Sequence, residues 1–135
     1  MALIEWTSNL SVGVDEMDQQ HRKLVSLINQ FHDALKVGHG DQIAAGILVQ
    51  LVQYTQTHFA AEEHLMARFG YPELHNHKKL HAVLVEQVGR MAEKIKSGKM
   101  VSPVSIATFL KDWLSQHILG TDKLYGQFIT ASAPR

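Results

Sequence analysis

At 135 residues, 45% apolar and 19% charged, the chain is long enough to bury a real core and reads as one globular domain spanning 1–135. Thirteen Lys plus Arg balance 13 Asp plus Glu, which leaves no basic footprint for a nucleic-acid partner. Cysteine is absent, which excludes disulfides, thiolate metal sites, cysteine-ligated Fe–S clusters and cysteine nucleophiles, whereas histidine occurs nine times and has to be explained.

The first 16 or so residues, MALIEWTSNLSVGVDE, carry no sustained period and contain Gly13. They read as an extended arm, with Leu3, Ile4 and Trp6 packing back onto the rest. A helix is expected to begin between Asp15 and Asp18, where carboxylates suit the exposed N–H groups. Its stripe of Met17, His21, Leu24, Ile28, Phe31 and Leu35 describes one buried face. The segment Gly38-His39-Gly40 ends it.

Asp41 is expected to cap a second helix with the stripe Ala44, Leu48, Leu51, Thr55, His58, Glu62, Leu65 and Phe69. Gly70 closes it and Pro72 follows. A third helix carries Leu74, His77, His81, Leu84, Val88, Met91 or Ala92, and Ile95, and stops at Gly98. Ser102 and Pro103 form a cap and first-position pair for a fourth, with Ile106, Leu110, Trp113, His117, Thr121 and Leu124 on its stripe and Tyr125 and Phe128 following. The tail ASAPR reads as frayed. Short connections between long helices make neighbours antiparallel. The expected fold is all-α: an up-down-up-down antiparallel four-helix bundle with an N-terminal extended arm.

Polar residues interrupt all four stripes: His21, then His58 and Glu62, then His77 and His81, then His117 with Asp122 five residues later. Residues four apart share a helix face. His117 and Asp122 sit about 140° apart on an ideal helix. A carboxylate reaching sideways, or a local widening of the helix, would bring them together. Counting from the turns places the seven at one height. His21 lies 17 residues before Gly38 and His58 lies 18 after Gly40; Glu62 lies eight before Gly70 and His77 seven after it. His81 lies 17 before Gly98 and His117 lies 14 after Pro103. Five imidazoles and two carboxylates in a core need compensating charge. They are too many ligands for one tetrahedral zinc. They suit two metals bridged by carboxylates, with iron, manganese, cobalt and zinc all compatible with the donor set.

The early tryptophan in IEWTSNLSVGVDEMDQQH, then HFAAEEHLM, GYPELHNHKKLH and WLSQHILGTDKLY, together resemble the hemerythrin family, specifically its bacterial single-domain members. The resemblance covers nearly the whole chain and includes the spacing of His117 and Asp122. It implies a single hemerythrin-like domain that binds dioxygen reversibly at a non-haem di-iron site, for storage, delivery or sensing, and is not an enzyme. By position it implies one iron on His77, His81 and His117 and the other on His21 and His58. Glu62 and Asp122 would bridge the two, with an oxo or hydroxo group. Dioxygen would bind end-on at the open position of the two-histidine iron. Leu114 would line the oxygen pocket, with Leu24, Phe59 and Ile118 near it, Trp113 beside the cluster and Tyr125 near Asp122.

Glu63 points about 100° away from Glu62 and is expected to be a solvated or supporting group, not a ligand. His32, His39, His64 and His75 are expected in ordinary surface or capping roles. Asp18 is expected to favour the helix start. An oxidase or ferroxidase of ferritin-like type is disfavoured, because such sites use more carboxylates and Glu-x-x-His pairs three apart. A sensor module would need an output from a partner, and one closed site stores little metal. No apolar run reaches transmembrane length, and the opening residues lack a basic region followed by an apolar one. The expectation is a cytoplasmic monomer without membrane insertion, with dioxygen as ligand and an oxygen-consuming protein as a possible partner.

Overall fold

The computed structural model describes residues 3–35, 40–97 and 103–132, and of residues 40–42, 96, 103, 104 and 132 the backbone only. Gly38 and His39 of the expected turn, the Asp41 side chain, the junction containing Gly98 and Ser102, and the tail from Ala133 lie outside what is described. Four rods form an antiparallel bundle. They are α1 (Asp15–Ala34), α2 (Gly40–Arg68), α3 (Leu74–Lys96) and a composite fourth rod. That last rod runs as α4 (Pro103–His117), a π turn (Ile118–Asp122) and α5 (Lys123–Ser132). Helix α2 packs on α1 and on α3, and α4 closes against α1.

The apolar stripes bury as their periods require. Met17, Leu24, Ile28 and Phe31 of α1 meet Ala44, Leu48 and Leu51 of α2, Leu84 and Val88 of α3, and Ile106, Leu110 and Leu114 of α4 in one core. Helix α1 begins at Asp15 with Asp15, Glu16 and Asp18 in its first turn, where negative charge favours the exposed N–H groups. Helix α2 ends in a Schellman arrangement: Tyr71 N donates to Met66 O at 2.9 Å and Gly70 N to Ala67 O at 3.2 Å. This requires the positive φ of 69° that Gly70 adopts without strain.

The arm packs back as expected. Asn29 clamps Ile4 through both backbone groups, accepting from Ile4 N at 3.0 Å and donating to Ile4 O at 2.9 Å. Asp18 accepts from Val12 N at 2.8 Å and from the Ser11 hydroxyl at 2.6 Å. Its carboxylate therefore holds the arm as well as facing the helix start. The arm crosses α5 at Gly126, where a Cβ would collide with the Val12 carbonyl.

One stretch departs from the expected stripe. Leu124 is 54% exposed, and Tyr125 and Ile129 take the core side instead. The π turn inserts one residue relative to α-helical register, so everything after Asp122 is rotated from its α position.

Candidate metal centre

The seven polar residues that break the stripes come together. His21, His58, Glu62, His77, His81, His117 and Asp122 are all buried, none more than 6% exposed. Two pairs, His58 with Glu62 and His77 with His81, stand one helical turn apart and face the same way. His117 is the last residue of α4 and Asp122 the last of the π turn. In an i→i+5 turn, residues five apart lie nearly above one another. The widening thus aligns the two side chains, and His117 Nε2 stands 3.0 Å from Asp122 Oδ1.

Each carboxylate divides its two oxygens between two groups of histidines. Glu62 Oε2 faces His21 Nε2 at 3.1 Å and His58 Nε2 at 3.3 Å. Glu62 Oε1 faces His81 Nε2 at 3.2 Å and His77 Nε2 at 3.8 Å. Asp122 Oδ2 faces His21 Nε2 at 3.1 Å, and Oδ1 faces His77 and His117 at 3.1 and 3.0 Å. The result is a three-histidine side and a two-histidine side joined by two carboxylates, and the two ligand groups it defines share Glu62.

Hydrogen bonding does not account for this arrangement. The Nε2 atoms of His77, His81 and His117, with Glu62 Oε1 and Asp122 Oδ1, are buried without a hydrogen-bond partner among the described residues. Buried polar atoms in that condition are costly. Five such atoms, within 4.8 Å of one another, aim their lone pairs into a common space. Nitrogen and carboxylate oxygen are the donors that iron takes. The residues present therefore fit a di-iron centre.

Protons act in the same place when metal is absent. Burial lowers the pKa of His21, but hydrogen bonds and charge from Asp122 and Glu62 outweigh it and raise it to about 9. The nearby Asp122 and Glu62 carboxylates likewise outweigh burial at His77 and raise it to about 9. For Glu62 burial works upward, yet the facing histidines, His58 foremost, hold the carboxyl well below its ordinary range. Asp122 is also held low: burial and the Glu62 charge push upward, and the close approach of the His117, His21 and His77 imidazoles, at 3.0, 3.1 and 3.1 Å, prevails.

Further side chains fix the orientation of the cluster. Glu63 Oε2 accepts from His81 Nδ1 at 2.9 Å while its side chain is 25% exposed, so it is at once solvated and supporting. Gln20 Oε1 lies 2.6 Å from His58 Nδ1. Nothing in the sequence marked Gln20, which sits off the stripe beside His21; only its place across from α2 gives it a role. The Tyr125 hydroxyl donates to Glu62 Oε2, and the Asp122 charge also acts on it. Phe59 stacks on His81 with 3.6 Å between centroids, and Trp113 stacks on His117 at 4.3 Å. Of the remaining histidines, His64 and His75 are exposed and His32 is half-buried.

One turn deeper, the apolar layer leaves a small cavity of about 20 Å³, room for a molecule about the size of one water. Leu24, Phe59, Trp113 and Leu114 line it, and Thr55 is the single polar residue on its wall. Ile118 is fully buried within the π turn but does not line this cavity.

The hemerythrin HHE cation-binding domain family matches residues 12–129. A bacteriohemerythrin of Stenotrophomonas maltophilia is 34% identical over 131 residues, covering 97% of this chain and 84% of the relative. A bacteriohemerythrin of Methylococcus capsulatus is 33% identical over 132 residues, covering 97% of this chain and all of the relative. A crystal structure of a wild-type hemerythrin superposes with a TM-score of 0.89 at 31% identity, covering 96% of this chain and 99% of that one. The chain belongs to the hemerythrin family and, within it, to the bacteriohemerythrins. Its clustered site is suited to binding dioxygen at a non-haem di-iron centre, and its family identity makes it a carrier, not a catalyst.

Proposed function

We propose that His77, His81 and His117 hold one iron and His21 and His58 the other. Glu62 and Asp122 would bridge the two, together with an oxo or hydroxo group. The observation that carries this reading is the division of both carboxylates, one oxygen toward each group of histidines. When bound, ferrous iron supplies the electrons with which dioxygen is held reversibly.

The chain's own residues account for the rest. Equal bridging but unequal histidine counts leave room for a further ligand at the pair His21 and His58. Leu24, Phe59 and Leu114 exclude water from the layer beneath the cluster and offer no proton to a ligand. Tyr125 holds Glu62 in place, and Glu63 and Gln20 hold His81 and His58 with Nε2 turned inward. Two carboxylates make this a less anionic site than the carboxylate-rich ones that activate oxygen, which favours reversible holding over turnover. No described helix is long and apolar enough to cross a membrane. The finer part of the proposal is a cytoplasmic monomer that passes dioxygen to an oxygen-consuming protein.

The test is metal analysis with an anaerobic-to-aerobic absorption titration. Two irons per chain and a visible band that appears with oxygen and disappears on its removal are expected. Zinc in the site, or steady oxygen consumption, would replace the carrier with the oxidase alternative.

A further inference from the structure

The two sides of the cluster differ in more than histidine count. On the three-histidine side, the ring nitrogen of His81 that faces away from the cluster meets a carboxylate, Glu63 Oε2, at 2.9 Å. On the two-histidine side, the corresponding nitrogen of His58 meets a neutral amide, Gln20 Oε1, at 2.6 Å. A carboxylate only accepts, so His81 Nδ1 carries the proton and Nε2 keeps its lone pair for the cluster. An amide oxygen does the same for His58 without adding charge. A carboxylate pulling on the Nδ1 proton makes an imidazole a stronger donor and so favours the more oxidised metal it ligates. Phe59, stacked on His81 at 3.6 Å and 2° from parallel, keeps that ring in the plane that reaches Glu63.

We propose that Glu63 and Gln20 are positioning residues that separate the two irons electronically. The charged partner holds the three-histidine iron ferric, while the neutral partner leaves the two-histidine iron the easier to reduce. The inference rests on the ligand assignment above. It predicts an order: the first electron enters at the His21 and His58 side and the second at the His77, His81 and His117 side. The reducing equivalents in the test come from an electrode.

Stepwise reduction potentials followed spectroscopically, with iron counted per chain, decide the matter. In Glu63→Gln, which keeps size and removes charge, the second reduction step should move upward more than the first. The shift should correspond to about a tenfold change in the ferric-to-ferrous ratio, or ~59 mV for a one-electron step. Glu63→Asp, shorter but still charged, should return the second step toward its original value. A role confined to packing would make aspartate no better than glutamine. Gln20→Glu should lower the first step more than the second; if that variant does not hold two irons, the Glu63 pair decides alone. Two irons per chain with both steps shifting equally, or neither shifting, overturns the proposal. Fewer than two irons in the unaltered chain overturns the ligand assignment instead.

Discussion

His117 and Asp122 are five residues apart in sequence, yet Nε2 and Oδ1 stand 3.0 Å apart because a π turn intervenes. The turn costs helical regularity and returns alignment of a carboxylate with an imidazole. Deleting Gly120, an exposed residue within it, should restore α-helical register with Asp122 four residues after His117, the spacing that keeps two side chains on one face. The deletion should stay helical, keep Asp122 toward the cluster and retain both irons. Gly120→Ala, whose Cβ would meet nothing within 4 Å, should keep both irons and gain up to about 0.5–1 kcal/mol from helix propensity. Iron lost in the deletion would show that a π turn, and not merely a shared helix face, is needed to bring Asp122 to His117.

Glu62 and Glu63 are neighbours with different work. Glu62 is fully buried and faces four histidines, whereas Glu63 meets the outer nitrogen of His81. Glu62→Gln should lose one or both irons and Glu63→Gln should keep two, as read by iron analysis. Equal loss in both variants contradicts the facing of α2.

Tyr125→Phe tests the hydroxyl that donates to Glu62. The ring is fully buried, so the substitution keeps its packing and removes one donor from a charged acceptor that His21 also faces. Hydrogen bonds to charged groups contribute about 1.5–3 kcal/mol, and the variant should lose stability on that order in denaturant unfolding of the metal-free protein. An unchanged unfolding midpoint would show that Glu62 finds another donor.

The metal-free protein should have a stability plateau bounded on both sides. His21 and His77 are raised from 6.5 to about 9 in the fold, despite burial, by Asp122 and Glu62. The stability they add is present in full below pH 6.5 and is lost as pH rises through about 9. Glu62 and Asp122 are held low by the same histidines, against burial. Their contribution is present above the ordinary carboxylate range and fades as pH falls below it. Melting temperatures should therefore fall toward acid and again above neutrality. Since metal displaces these protons, iron affinity should drop as pH is lowered. A melting temperature that keeps rising between pH 7 and 10 would falsify this balance.

The four stripes, the seven buried polar residues and their common height were legible because helical period and short connections carry that information. Even the awkward spacing of His117 and Asp122 implied either a sideways reach or a widened turn. Leu124 was misplaced because a stripe extended past that turn assumes an unbroken register. Gln20 was invisible for a different reason. A residue that supports a ligand on another helix has no periodic signature of its own, and its position is decided by how α1 and α2 pack. Tyr125 was placed near Asp122, but its hydrogen bond to Glu62 was not legible, since three residues along a rotated helix do not specify which oxygen a hydroxyl reaches.

Leu114 and the layer beneath the cluster give the last prediction. Leu114 is 4% exposed and lines a cavity of about 20 Å³ with Leu24, Phe59 and Trp113. Leu114→Ala removes a buried branched side chain at a cost of about 2–5 kcal/mol. It also enlarges the cavity beyond a single water, next to a polar cluster that would hold extra waters in place. Water there brings a proton source to a pocket that otherwise has only the Thr55 hydroxyl on its wall. Oxidation of the iron to the inactive ferric state should then accelerate, measured as decay of the oxygen-dependent visible band at constant iron content. Leu114→Ile, close in volume, should stay near the original rate. If the alanine variant holds two irons and decays no faster, the apolar layer is not what protects the ferrous site, and the protection must lie nearer to His21 and His58.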